Sequence, residues 1–164
     1  MRPVFRLAAM TMLLVVAAGL VLQAHATSRE SVMHHATGTF EVKMQPQGEI
    51  GPTGSDGNAL ARMSLDKTFS GALVGTGTGE MLAARSSVAT SASYVAIERV
   101  AGTLDGKAGT FVLVHRGVMS GDTQALEVQI SPDSGTGALK GIAGTLVIRI
   151  EGGQHFYDLA YTLP

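Results

Sequence analysis

The chain has 164 residues, 45% of them hydrophobic, and balances 12 Lys+Arg against 13 Asp+Glu. That length fits one domain with one core, and the balanced charge argues against an electrostatic nucleic-acid binder, which needs a basic face to displace phosphate counterions. The absence of Cys excludes a disulfide scaffold, a Cys-ligated zinc site, an iron–sulfur cluster and a thiol nucleophile.

Arg2 and Arg6 lead into an apolar run from Leu7 to Leu22, and Ala24-His25-Ala26 follows with the small-x-small pattern of a cleavage site. The run is 16 residues long, short of the ~20 that a spanning helix needs. Residues 1–26 therefore read as a signal peptide cleaved after Ala26, which sends the chain to the periplasm or out of the cell and leaves no stable membrane span. Residues 27–36 read as a flexible N-terminal tail, and 37–164 as one β-domain.

Alternation begins after His35. Phe40, Val42 and Met44 share a face opposite Glu41 and Lys43, the period of two expected of a half-buried strand. Pro46 to Asn58, with two Pro and four Gly, reads as a long loop. In the next run Ala61, Met63, Leu65, Lys67 and Phe69 alternate with Arg62, Ser64, Asp66 and Thr68. Leu73 to Leu82 carries Gly75, Gly77 and Gly79 on one face, which suits close packing of a neighbour or a coiled barrel corner. Ala83 to Ser93 reads as a loop or short helical turn. Five further strands follow: Tyr94–Val100, Thr110–Met119, Leu126–Ile130, Thr145–Ile150 and His155–Leu163. Eight short strands with short links suggest an antiparallel meander. With no helix to cover a sheet, the choices are a sandwich or a closed barrel, and closure removes exposed edges.

Residues 102–117 and 137–152 share G-x-L-x-G-x-A-G-T-[F/L]-V-[L/I], with a fainter copy from Gly71. The pattern reads as a recurring hairpin in which Gly106 and Gly141 supply positive φ or close approach.

Charged residues set the inward phase. Arg116 outside puts Phe111, Leu113, His115 and Met119 inside. Arg149 and Glu151 outside put Leu146, Ile148 and Ile150 inside, and Glu127 and Gln129 do the same for Leu126, Val128 and Ile130. His155, Tyr157, Leu159, Tyr161 and Leu163 share a face opposite Asp158. Tyr94–Val100 is ambiguous: one face holds Tyr94, Ala96, Glu98 and Val100, the other Val95, Ile97 and Arg99. With Tyr94 and Glu98 inside, the interior gathers Tyr94, Glu98, Phe111, His115, His155, Tyr157 and Tyr161. Glu98 and His115 are then candidates for an acid–base pair. Tyr94, Phe111, His115, His155, Tyr157 and Tyr161 are candidates for contacts to a ligand. The bland alternative is that each packs with its polar tip satisfied locally. His115, His155 and Glu98 supply three groups of metal-ligand type, but no local spacing such as H-x-H supports a metal, and none is expected. No G-x-S-x-G and no nucleotide fingerprint occurs, and Gly75-Thr76-Gly77-Thr78-Gly79 lacks the phosphate-loop pattern. No cofactor is expected.

The segments GTLDGKAGTFVLVHRG (102–117), SPDSGTGALKGIAGTL (131–146) and GGQHFYDLAYTL (152–163), with Ala36 to Pro46 and Lys67 to Leu82, resemble the bacterial domain-of-unknown-function family numbered 3224. The resemblance covers nearly all of 36–164. It implies an all-β, closed, eight-stranded antiparallel up-and-down barrel, similar to that of allene oxide cyclase and dirigent proteins, in which the barrel holds a small hydrophobic molecule. It transfers no catalytic residue. The expected functions are a barrel binding a small, mostly apolar ligand, a cofactor-free isomerase or cyclase using Glu98 and His115, or a structural, self-associating barrel with no ligand. Catalysis requires Glu98 and His115 within hydrogen-bond reach; simple binding expects inward polar groups scattered singly.

Overall fold

A computed structural model describes residues 31–51 and 57–164. Alternating sequence becomes eight strands: β1 (His34–Glu49), β2 (Ala59–Gly71), β3 (Leu73–Arg85), β4 (Ala92–Leu104), β5 (Lys107–Ser120), β6 (Thr123–Ile130), β7 (Ala143–Glu151) and β8 (Gln154–Thr162). Each pairs antiparallel with the next, and β8 returns to β1, closing the barrel. Among the described residues the one helical element is a 3₁₀ turn at Gly137–Leu139, and no helix is long and apolar enough to cross a membrane. The signal-peptide reading lies outside the described residues.

Several strands run longer than the alternation suggests. β1 begins at His34, inside the expected tail, because His34, His35 and Ala36 pair with Tyr161, Ala160 and Leu159 of β8. It also runs on to Glu49, so the loop expected from Pro46 is shorter. Pro46 sits opposite Met63, and a bulge before Gly48 absorbs it. Proline is tolerated there because β8 reaches only as far as Phe40, leaving this stretch of β1 at an edge. β3 extends to Arg85 and β4 starts at Ala92, which shortens the expected Ala83–Ser93 loop to a turn.

The repeated pattern does not build the same hairpin twice. In the first copy Asp105 and Gly106, both at positive φ (47° and 80°), form a two-residue turn joining Leu104 to Lys107. This turn matches the right-handed twist of its strands. In the second copy Gly141 (φ 82°) lies between the 3₁₀ turn and β7, with no hairpin. What the copies share is a leucine at the same motif position: Leu73, Leu104 and Leu139 are all essentially fully buried.

Those leucines plug one end. The turns at Ala72 and Asp105–Gly106 and the segment 131–142 converge there, stitched by Ala72 N–H to Thr37 O (3.1 Å) and Asp105 N–H to Ala72 O (2.9 Å). Phe69, Val100, Phe111 and Leu113 fill the interior above the plug. Burying each such side chain contributes about 2 kcal/mol. The described residues leave the other end, ringed by turns 86–91, 121–122 and 152–153, open.

Candidate functional site

The phase of β4 is decided against its own apolarity. Val95 and Ile97 are exposed (52% and 63%), whereas Glu98 is fully buried. The strand extends to Leu104, and the shared face Ala96-Glu98-Val100-Leu104 is anchored by Val100 and Leu104 in the plug. A carboxylate buried this way needs partners, and it has two. Glu98 Oε2 accepts from Lys67 Nζ at 2.6 Å and from His115 Nε2 at 3.0 Å.

Register explains how three strands meet. His115 on β5 lies opposite Ala96 on β4, and Lys67 on β2 lies opposite Gly77 on β3. Glu98 must therefore reach across β3 to touch Lys67. Gly77 makes the crossing possible: a Cβ there would fall on Glu98 Oε1. The glycine stretch Gly75-Gly77-Gly79 on the inner face of β3 is thus a passage for the carboxylate. Oε1 rests in that passage with no hydrogen-bond partner.

The electrostatics follow. Burial pushes the Glu98 carboxyl up, but the His115 hydrogen bond and the Lys67 ammonium together outweigh it and hold the group below its ordinary value of 4.5. An ionised carboxylate only accepts, so His115 donates through Nε2, and in the neutral ring Nδ1 keeps a lone pair. Lys67 spends one N–H on Glu98. Its ammonium also lies 4.8 Å from the Phe40 ring centroid and 5.8 Å from that of Phe69.

Above this cluster the open half of the barrel holds a cavity of about 290 Å³. Its wall is largely apolar, with Phe40, Leu65, Met81, Ala96 and Ile148 among the lining residues. Lys67, His115, Tyr94 and His155 supply the polar groups. Glu98 does not line it; the carboxylate sits behind Lys67 and His115 and holds them. Tyr94 lies half-buried over Gly117, whose position a Cβ would contest with the ring, and burial pushes its hydroxyl up.

Of the residues predicted from sequence, Glu98 and His115 are brought together, and Tyr94 and His155 join His115 around the cavity. His155 packs on Phe40, ring centroids 4.9 Å apart. The other three do not line the cavity. Phe111 is in the filled half. The Tyr157 hydroxyl accepts from Leu73 N–H (2.8 Å), and the Tyr161 hydroxyl donates to Asp105 (2.7 Å). Burial and the Asp105 bond push the Tyr161 hydroxyl up to about 12. Both tyrosines thus tie down the plug. Among the described residues no group of three His, Asp or Glu side chains is placed to hold a metal.

Sequence reasoning missed Lys67 as a site residue. The available signal was a lysine in the inward phase of Met63-Leu65-Lys67-Phe69. The run Ser64-Leu65-Asp66-Lys67 also carries Ser-x-x-Lys spacing. On a strand that odd separation puts the two on opposite faces, and the Ser64 hydroxyl accepts from Gln47 Nε2 at 3.1 Å instead.

A closed antiparallel barrel, plugged at one end and cupped at the other over an ion-paired floor, is a cavity-bearing β-barrel. The chain belongs to the family described as Protein of unknown function (DUF3224), whose model matches residues 36–161, from within β1 to within β8. A solved structure of a protein with unknown function from the same family, from Shewanella oneidensis, is 46% identical with a TM-score of 0.76. The match covers 81% of this chain and 99% of that one. A search of curated proteins finds no match.

Proposed function

We propose that the barrel binds a small, mostly apolar molecule in its cup, with Lys67 and His115 meeting the molecule's polar group. The observation that carries this reading is the cavity of about 290 Å³, apolar on its walls and polar at its floor. Small-molecule sites combine these features, and the volume sits at the small end of their range. Native mass spectrometry tests it: the folded protein from a bacterial host is expected to carry a reproducible extra mass that denaturation removes. A bare mass together with no shift in melting temperature across a panel of apolar compounds would sink the reading.

The 3.0 Å contact between Glu98 and His115 supports a second reading, proton-transfer catalysis. His115 Nδ1 would serve as the base, Glu98 as the positioning group behind it, and Lys67 as donor to the oxygen where charge develops. This chemistry is isomerisation or cyclisation without a cofactor. Its test is exchange of protons next to a carbonyl, followed by NMR in D₂O with small ketones. The wild type is expected to accelerate exchange and His115→Gln to lose the acceleration; equal rates would remove the relay.

Export is part of the proposal. Arg2, Arg6, the run from Leu7 to Leu22 and Ala24-His25-Ala26 support a leader cleaved after Ala26. Terminal sequencing of periplasmic or secreted protein should begin at Thr27.

A further inference from the structure

The cup has one low wall. β1 to β5 run 13 to 16 residues, whereas β6, β7 and β8 run eight or nine. β6 and β7 share a single registered pair, Gln129 with Thr145. Every other seam has at least seven. Beyond that pair, toward the mouth, the β7–β8 hairpin is unpaired with β6. On its other side β8 pairs with β1 only up to Phe40–His155, while β1 continues to Glu49.

Apolar side chains that line the cavity stand in solvent at this rim. Leu126 on β6 is 41% exposed and Ile150 on β7 is 63% exposed, and Met44 and Met119 complete the rim at 44% and 37%. The inward phase puts all four toward the cavity, yet the described residues do not cover them. An apolar chain rising from the cup would cover them.

The floor restricts the other end of that molecule. The Lys67 ammonium and Glu98 carboxylate compensate each other, so an anionic head would bring an unbalanced charge into a buried site. A neutral oxygen accepting from Lys67 would not. We propose that the occupant is a neutral amphiphile: a carbonyl compound whose oxygen accepts from Lys67 and whose straight apolar chain leaves the cup over Ile150 and Leu126. This rests on the cup being a binding site and adds its ligand class and exit.

The test is an NMR titration with straight-chain methyl ketones from hexanone to tridecanone, and with the carboxylic acids of equal length. It uses wild type and the double variant Leu126→Ser/Ile150→Ser. Both positions are exposed, so the double variant is expected to fold. In wild type, affinity should rise about fourfold per methylene once the chain passes the rim. The double variant should lose the gain for long chains. Tighter binding of an acid than of the matching ketone overturns the neutral head. Equal chain-length dependence in the two proteins overturns the exit path, as does hexanone binding with no gain for longer chains. A retained mass in native spectrometry with no ketone bound overturns this inference and leaves the cup reading standing. A bare mass with no ketone bound overturns both.

Discussion

Glu98 is the residue on which the interior turns. It is fully buried, charged, and held by a lysine whose side chain is 7% exposed. Removing one partner of such a pair strands the other charge. Glu98→Gln is expected to cost about 3 kcal/mol in urea unfolding, and Lys67→Met in the same background to restore part of the loss. The pH dependence has a definite sign. The folded carboxyl is held below its ordinary 4.5, so it binds a proton less readily folded than unfolded. Its contribution is complete above the ordinary value and fades as pH falls through the folded one. The stability gap between wild type and Glu98→Gln should therefore narrow as pH drops below about 4.5. A gap unchanged down to about pH 3 would show that charge is not what Glu98 contributes.

At the scale of elements, β3 and the β6–β7 seam behave differently from the other strands. β3 is permissive because Gly75, Gly77 and Gly79 leave the middle of its inner face bare between Leu73 and Met81: Gly77 gives its space to Glu98. Gly77→Ala is expected to destabilise by about 2 kcal/mol through overpacking. It should also shift the His115 ring resonances in NMR, because the new methyl displaces its hydrogen-bond partner. A loss of stability with unmoved His115 signals would mean that the strain is taken up elsewhere. The seam is weak for a different reason, since among the described residues only Gln129 and Thr145 are in register across it. Amides of β6 and β7 beyond the Gln129–Thr145 pair that point into the seam should exchange with solvent faster than those in the middle of β4, which is paired on both sides. Uniform protection across all eight strands would show the seam closed in solution.

For the whole molecule, the division into a solid half and a hollow half predicts uneven tolerance. Leu104 lies in the plug with no exposure, whereas Ile148 on the cup wall is only partly buried. Leu104→Ala should cost about 3 kcal/mol, within the range for fully buried leucines, and Ile148→Ala about 1 kcal/mol, because its truncation enlarges a space that already exists. Equal losses in denaturant unfolding would mean that the cup is packed in solution. The long-strand wall and short-strand wall share the same closure, so the asymmetry is one of filling as well as height.

Much of this architecture was legible in the residues themselves. Period-two alternation marked eight strands, because a half-buried strand writes its two environments into alternate positions. Charges such as Arg116, Arg149 and Glu127 set the phase of β5, β7 and β6. From sequence the Glu98–His115 pair is conditional on the phase of β4, and only the tie of β4 to the plug through Val100 and Leu104 decides it, since alternation cannot rank two apolar faces. Lys67 was hidden because its partner is 31 positions away and two strands over. Tyr157 and Tyr161 shared the inward face with His155, but period two says nothing about height along the barrel. Height separates a plug from a cup, and it comes from where eight strands begin and end relative to one another. Outside β4, alternation and charge thus determined what faces inward, whereas strand length and register in three dimensions decided the face of β4, which inward residues meet and which surround empty space.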